Sequence, residues 1–123
     1  MLRQSFGSVE VFWLDRDAVL QAAKKSVRRL TRAHPEVVKV VLFGSMARGD
    51  AVPGSDVDLL MVLTSNHKTF LERSAEYHPE GIPVGVDVFA YTEDELARML
   101  REGNTFVKQA FAEGLVIYQR HTP

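Results

Sequence analysis

Phe43-Gly44-Ser45-Met46-Ala47-Arg48-Gly49-Asp50-Ala51-Val52-Pro53-Gly54-Ser55-Asp56-Val57-Asp58-Leu59 is the stretch that decides how this chain folds. It is preceded by Val37-Val38-Lys39-Val40-Val41-Leu42, a short apolar run rich in β-branched residues. That run is too short for an ordinary helix and reads as a buried strand. It stops at Gly44, whose missing side chain opens backbone angles closed to other residues. Ser45 is placed to cap a short helix through Met46, Ala47 and Arg48. A turn of this kind aims N–H groups outward and favours anions. Pro53 and Gly54 shape a second turn, which delivers Ser55 into another apolar run, Val57 to Leu63.

Residues two apart on a strand face the same way, so Asp56 and Asp58 point to one side at the start of this second strand. Two carboxylates forced together repel, and burying them unpaired is costly. A divalent cation relieves both problems, and an all-oxygen donor set suits Mg²⁺ or Mn²⁺ rather than zinc. A third acid lies in Val84-Gly85-Val86-Asp87-Val88-Phe89-Ala90, which alternates like a strand. Gly85, Asp87 and Phe89 share one face of it, and Val84, Val86 and Val88 the other. Three acids on adjacent strands are equipped to hold two metal ions roughly 4 Å apart, the arrangement used for in-line displacement at phosphorus.

The pattern Gly-Ser, ten residues, Asp-x-Asp and a later strand Asp resembles the nucleotidyltransferase superfamily related to DNA polymerase beta. The fuller form, GSMARGDAVPGSDVDLL, is most similar to the minimal nucleotidyltransferases, small proteins that often serve as the antitoxin of a two-component pair. The resemblance implies an α/β nucleotidyltransferase fold, a mixed β-sheet with helices packed on it, filling residues 1–123 as a single domain. It implies Mg²⁺-dependent (or Mn²⁺-dependent) transfer of a nucleoside monophosphate, AMP from ATP, to a hydroxyl. Asp56, Asp58 and Asp87 are then the catalytic and metal-binding residues. Gly44, Ser45, Arg48 and Ser55 are the nucleotide-binding ones. The implied partner is a small helical HEPN-like protein, modified on a tyrosine hydroxyl. A homo-oligomer is the other route to an acceptor surface, because the sequence is expected to have no room for an acceptor domain. Two other readings remain open: a non-catalytic antitoxin that masks its partner by contact, and a transferase acting on a small molecule.

Individual residues also have plainer readings. Gly-Ser alone is a common turn, and Ser55-Asp56 can be an ordinary cap or Asx-turn. Asp87 can pair with an arginine. Arg48 either reaches the triphosphate, where its fork matches phosphate oxygens, or holds the loop by pairing with Asp50 or another acid. His34, His67, His78 and His121 lack metal-ligand spacing, there is no Cys, and all four are expected at the solvated surface. No Walker A lysine follows Gly44-Ser45, and neither a dinucleotide-binding glycine pattern nor a Gly-x-Ser-x-Gly elbow occurs.

The 123 residues match one domain in size. Fifteen basic and 16 acidic side chains nearly balance, so charge makes no case for nucleic acid or an acidic membrane as partner. No apolar run reaches membrane-spanning length. The N-terminal residues Met1 to Ser8 lack a signal-peptide core, so the expected location is cytoplasmic.

The remaining pattern predicts a short strand over Val9–Trp13, then a helix capped by Asp15 and running to about Ala33. Val19, Ala23, Val27 and Leu30 form its apolar stripe. Lys24, Lys25, Arg28, Arg29 and Arg32 lie on its other faces as a solvated surface. A further helix is expected from Asn66 to about Tyr77. Thr92 and Glu95 spell a capping box for another, which Gly103 ends, and Asn104 caps the last one. Phe106, Val107, Ala110 and Phe111 are read as core. Leu115–Tyr118 is a final strand, and Arg120 to Pro123 a loose tail.

Overall fold

The computed structural model describes the backbone of residues 2–6, 9–13 and 15–121 and the side chains of residues 15–121. The elements in chain order are β1 (Leu2–Phe6), β2 (Val9–Trp13), α1 (Arg16–Ala33), β3 (Val37–Phe43), α2 (Ser45–Arg48) and β4 (Val57–Leu63). They continue with α3 (Phe70–Glu76), β5 (Val86–Thr92), α4 (Glu93–Arg101), α5 (Thr105–Glu113) and β6 (Leu115–Gln119). β1 and β2 form a separate antiparallel pair, so the expected strand at Val9–Trp13 has a partner that the pattern did not announce. The side chains of this strand lie outside the described residues.

The main sheet has the order β5-β4-β3-β6. β3 runs antiparallel to both β4 and β6, while β4 and β5 are parallel. This is the mixed sheet the sequence predicted, and helices cover both faces. On one face Val19, Ala23 and Val27 of α1 pack against Val40, Leu42, Leu59, Met61 and Val88. On the other, Leu96 of α4 and Val107 and Ala110 of α5 pack against Val41, Phe43, Leu60 and Val62. Neighbouring residues of β3 and β4 thus serve opposite cores, which is why their runs are continuously apolar. Each fully buried Val or Leu contributes about 1.5–3 kcal/mol.

Caps fix the helix starts. Asp15 Oδ1 accepts from the Ala18 N–H at 3.1 Å, and Asn104 Oδ1 accepts from the Val107 N–H at 3.0 Å. Thr92 and Glu95 make the reciprocal capping box. Three expectations need correction. The helix expected from Asn66 begins only at Phe70, because Asn66 folds back to accept from the Lys68 N–H and Thr69 takes the cap. Arg120 is anchored: its N–H donates to Val38 O and its guanidinium to Pro35 O, both at 2.8 Å. His34 is half-buried, edge-on to the Tyr77 ring with centroids 5.0 Å apart, and 3.4 Å from Glu36 Oε2. His67, His78 and His121 are exposed as expected, as are the five basic residues of α1. Thr122 and Pro123 lie outside the described residues. No described helix is long and apolar enough to cross a membrane.

Candidate active site

The register of three strands assembles the site. Phe43, the last residue of β3, pairs with Asp58 of β4, and Asp58 pairs with Asp87 of β5. Side chains at paired positions share a face, so the turn after Phe43 and both acids meet on the α4–α5 side of the sheet. Asp56 lies just ahead of β4 and is exposed, as is Asp87; Asp58 is half-buried. Burial raises the Asp58 carboxyl above the ordinary carboxylate range. The negative charges of Asp87 and Asp56 push it the same way, and only Arg48 pulls it down. The arginine partner considered for Asp87 is not among the described salt bridges.

Two glycines make room beside these acids. A side chain at Gly44 would collide with Asp58 Oδ2, and one at Gly85 would collide with Asp56 Oδ1. Gly44 also has φ +77°, which L side chains rarely adopt. It occupies the cap position of α2, and Ser45 is the first helical residue. The expected capping role of the Ser45 side chain is therefore corrected: the backbone at Gly44 makes the turn, and Ser45 lines the cleft. Ser55 Oγ accepts from the Val52 N–H at 2.9 Å and closes the loop that presents Asp56.

Arg48 holds the loop: its Nε donates to Asp50 at 3.2 Å and its Nη1 to Glu113 at 3.1 Å. Arg16 steadies α2 from below, donating to Met46 O at 2.8 Å. Arg16, Glu113 and the spacing role of Gly85 are what sequence reasoning missed. Phe106, expected in the core, is 38% exposed. It packs edge-to-face on Phe43 at 5.5 Å and lines a cleft of about 310 Å³ together with Gly44, Ser45, Arg48, Asp58 and Glu113.

The donor set fits a divalent cation. Asp56 and Asp87 are near enough to Asp58 for their charges to raise its pKa, and glycines leave space beside Asp56 and Asp58. Among the described residues no group of three or more Asp, Glu or His side chains is already drawn into a ligand cage. Asp58 and Asp87 are the pair that the strand register brings side by side.

Comparison with known proteins gives the same picture of the fold. A search of curated proteins found no match. A crystal structure from Sulfolobus solfataricus, described as a candidate nucleotidyltransferase, superposes with a TM-score of 0.61 at 24% identity. That match covers 85% of this chain and 84% of the other. A structure described as a toxin–antitoxin with AMP-PNP superposes with a TM-score of 0.56 at 19% identity, covering 80% of this chain and 74% of the other. The family model for the nucleotidyltransferase domain matches residues 21–117, which include the turn and all three aspartates. On that match the chain belongs to the nucleotidyltransferase domain family.

Proposed function

We propose that this chain transfers a nucleoside monophosphate, AMP from ATP, to a hydroxyl on a partner protein, as the antitoxin of a minimal-nucleotidyltransferase/HEPN-type pair. The observation that carries the reading is the alignment of Phe43, Asp58 and Asp87 across three strands, which sets two carboxylates beside the Gly44 turn. In this reading the turn, Ser45 and Arg48 hold the β- and γ-phosphates, and Ser55 keeps Asp56 in place. Asp56, Asp58 and Asp87 would hold a divalent cation, Mg²⁺ or Mn²⁺, which when bound supplies positive charge between the carboxylates and the triphosphate. Asp87 orients the acceptor hydroxyl and takes its proton. The acceptor oxygen bonds to the α-phosphorus, the bond from that phosphorus to the bridging oxygen breaks, and pyrophosphate leaves in line. The exposed ring of Phe106 offers the nucleobase a stacking face at the other side of the cleft.

Two points support a protein acceptor. One of the similar structures is described as a toxin–antitoxin with an ATP analogue. In addition, Leu115 (40% exposed) and Val116 (53% exposed) put apolar surface at the start of β6, one residue beyond the cleft residue Glu113 and its neighbour Gly114. We read residues 1–123 as one catalytic domain whose acceptor is a hydroxyl on a partner protein. The test is transfer of label from α-³²P-ATP to a co-purified helical partner in the presence of Mg²⁺. Covalent labelling of the partner is the expected result. A tight complex that stays unlabelled would favour the masking antitoxin instead, and a labelled small molecule would favour the third reading.

A further inference from the structure

We propose that Glu113 is an internal competitor for phosphate: its carboxylate occupies the turn that a triphosphate must enter. The inference rests on the nucleotide-binding reading above. Three observations lead to it. The Gly44 N–H donates to Glu113 Oε1 at 3.2 Å, and the same oxygen accepts from Arg48 Nη1 at 3.1 Å. Both donors belong to the turn assigned to phosphate, and all three residues line one cleft. The carboxylate therefore already makes the charge-assisted hydrogen bonds that a phosphate oxygen would make there.

The position is dictated by the fold. Leu42 of β3 pairs with Leu115 of β6 in antiparallel register. Continuing that register two residues outward brings Gly44 opposite Glu113. Gly114 joins α5 to β6, and a side chain there would meet Val41 Cγ1 and the Ala110 carbonyl, so the junction is close-packed. The backbone of Glu113 is thus fixed beside Gly44, while its side chain, 19% exposed, keeps a route to solvent by rotation. Arg48 retains Asp50 as a second partner at 3.2 Å, so it is not left unpaired when Glu113 swings out.

The chemical consequence is a threshold on ligand charge. A monophosphate entering the turn exchanges one anion for another and gains little. A polyphosphate displaces the same carboxylate but brings further oxygens to Ser45 and the rest of the cleft. Glu113 thereby tunes the turn toward polyphosphates, and its rotation frees Arg48 for them. The competing role for this residue is positioning: Glu113 orients Arg48, and its loss weakens binding. The two roles predict opposite signs.

The experiment is calorimetric titration of the full chain and its Glu113→Gln variant with inorganic tripolyphosphate and with ATP at fixed ionic strength. Glutamine keeps the shape and an acceptor for the Gly44 N–H but removes the charge. The expected result is about tenfold tighter binding of both ligands by the variant, by the same factor, since losing a charge-assisted bond is worth roughly that much. Glu113→Asp, which keeps the charge but withdraws it by one methylene, should fall between the two. Unchanged or weaker binding by Glu113→Gln, with wild-type binding intact, overturns the competitor role alone. If the wild-type protein binds neither ligand, the nucleotide reading itself fails and this inference goes with it.

Discussion

Arg73 and Asp58 are placed at opposite ends of the same sheet and are treated in opposite ways. Arg73 of α3 is only 6% exposed, yet its guanidinium donates to Glu95 at 2.5 Å and to the carbonyls of Lys68, Asn66 and Ala90. Nearby, the Tyr77 hydroxyl donates to Glu36 at 2.6 Å and accepts from Asn66 at 2.9 Å, and burial first, then Glu36, pushes its pKa up. No described buried side-chain polar atom lacks a partner. At the other end Asp58 faces Asp87 and Asp56, with glycines where stabilising side chains would otherwise sit. The first end spends its polar groups on holding the fold. The second keeps like charges together, an arrangement that costs stability and makes sense where a ligand completes it.

The largest break in this contrast should come from Asp58→Asn. We expect nucleotidyl transfer, followed by α-³²P label, to fall by roughly 10²–10⁴. Removing a like charge directly across from Asp87 should at the same time raise stability by roughly 0.5 kcal/mol in urea unfolding. A loss of activity accompanied by a comparable loss of stability would mean that Asp58 belongs with the structural end.

The converse substitution is Arg73→Met. It takes the Arg73 donor from three carbonyls and from Glu95, which keeps the Thr92 N–H, and losing these bonds around a buried guanidinium costs about 2–3 kcal/mol. The urea midpoint should drop accordingly, while the transfer rate per folded molecule stays near the wild-type value.

Gly85→Ala sharpens the comparison with a single methyl group. Gly85 is not at positive φ, so the cost to stability should stay within about 1 kcal/mol. Its Cβ displaces the Asp56 carboxylate, and the transfer rate should fall roughly tenfold, in keeping with the sensitivity of reaction geometry to small displacements. Wild-type activity in this variant would remove Asp56 from the site.

The smallest effect is a pH dependence at the structural end. Burial works to raise the Glu95 carboxyl, but hydrogen bonds from Arg73 and Thr92, with the Arg73 charge, bring it below its usual range. Its contribution to stability is therefore present above the unfolded-state pKa and is lost as pH falls through the lower folded-state value. Glu95→Gln should cost stability at pH 7, and the gap to wild type should close on acidification through that window. A gap that is constant from neutral to acid pH would show that the Glu95 charge contributes nothing there.

Much of the fold was legible from local pattern. The stripe of Val19, Ala23 and Val27, the Asp15 and Asn104 caps and the Thr92–Glu95 box each act within a few residues, and each forms as read. The start of α3 was misread because Asn66 and Thr69 are both good capping residues, and only the packed structure chose the second. β1 went unread because Leu2-Arg3-Gln4-Ser5-Phe6 has no β-branched residue and only one aromatic, so nothing local marked it as a strand. Within the candidate site the three aspartates and the Gly44 turn stood out as chemistry-bearing residues in one motif. Glu113 carried no such mark, since an acid before a helix-ending glycine is ordinary.

The sequence by itself determined most of the strands and helices, the two turns and the acids at the head of β4 and in β5, because propensity, capping and periodicity act over short spans. Only the tertiary structure decided which of them meet. Strand register is set by which side chains fill the two cores. That register alone places Asp58 beside Asp87, and Glu113 against Gly44, from positions far apart in the chain.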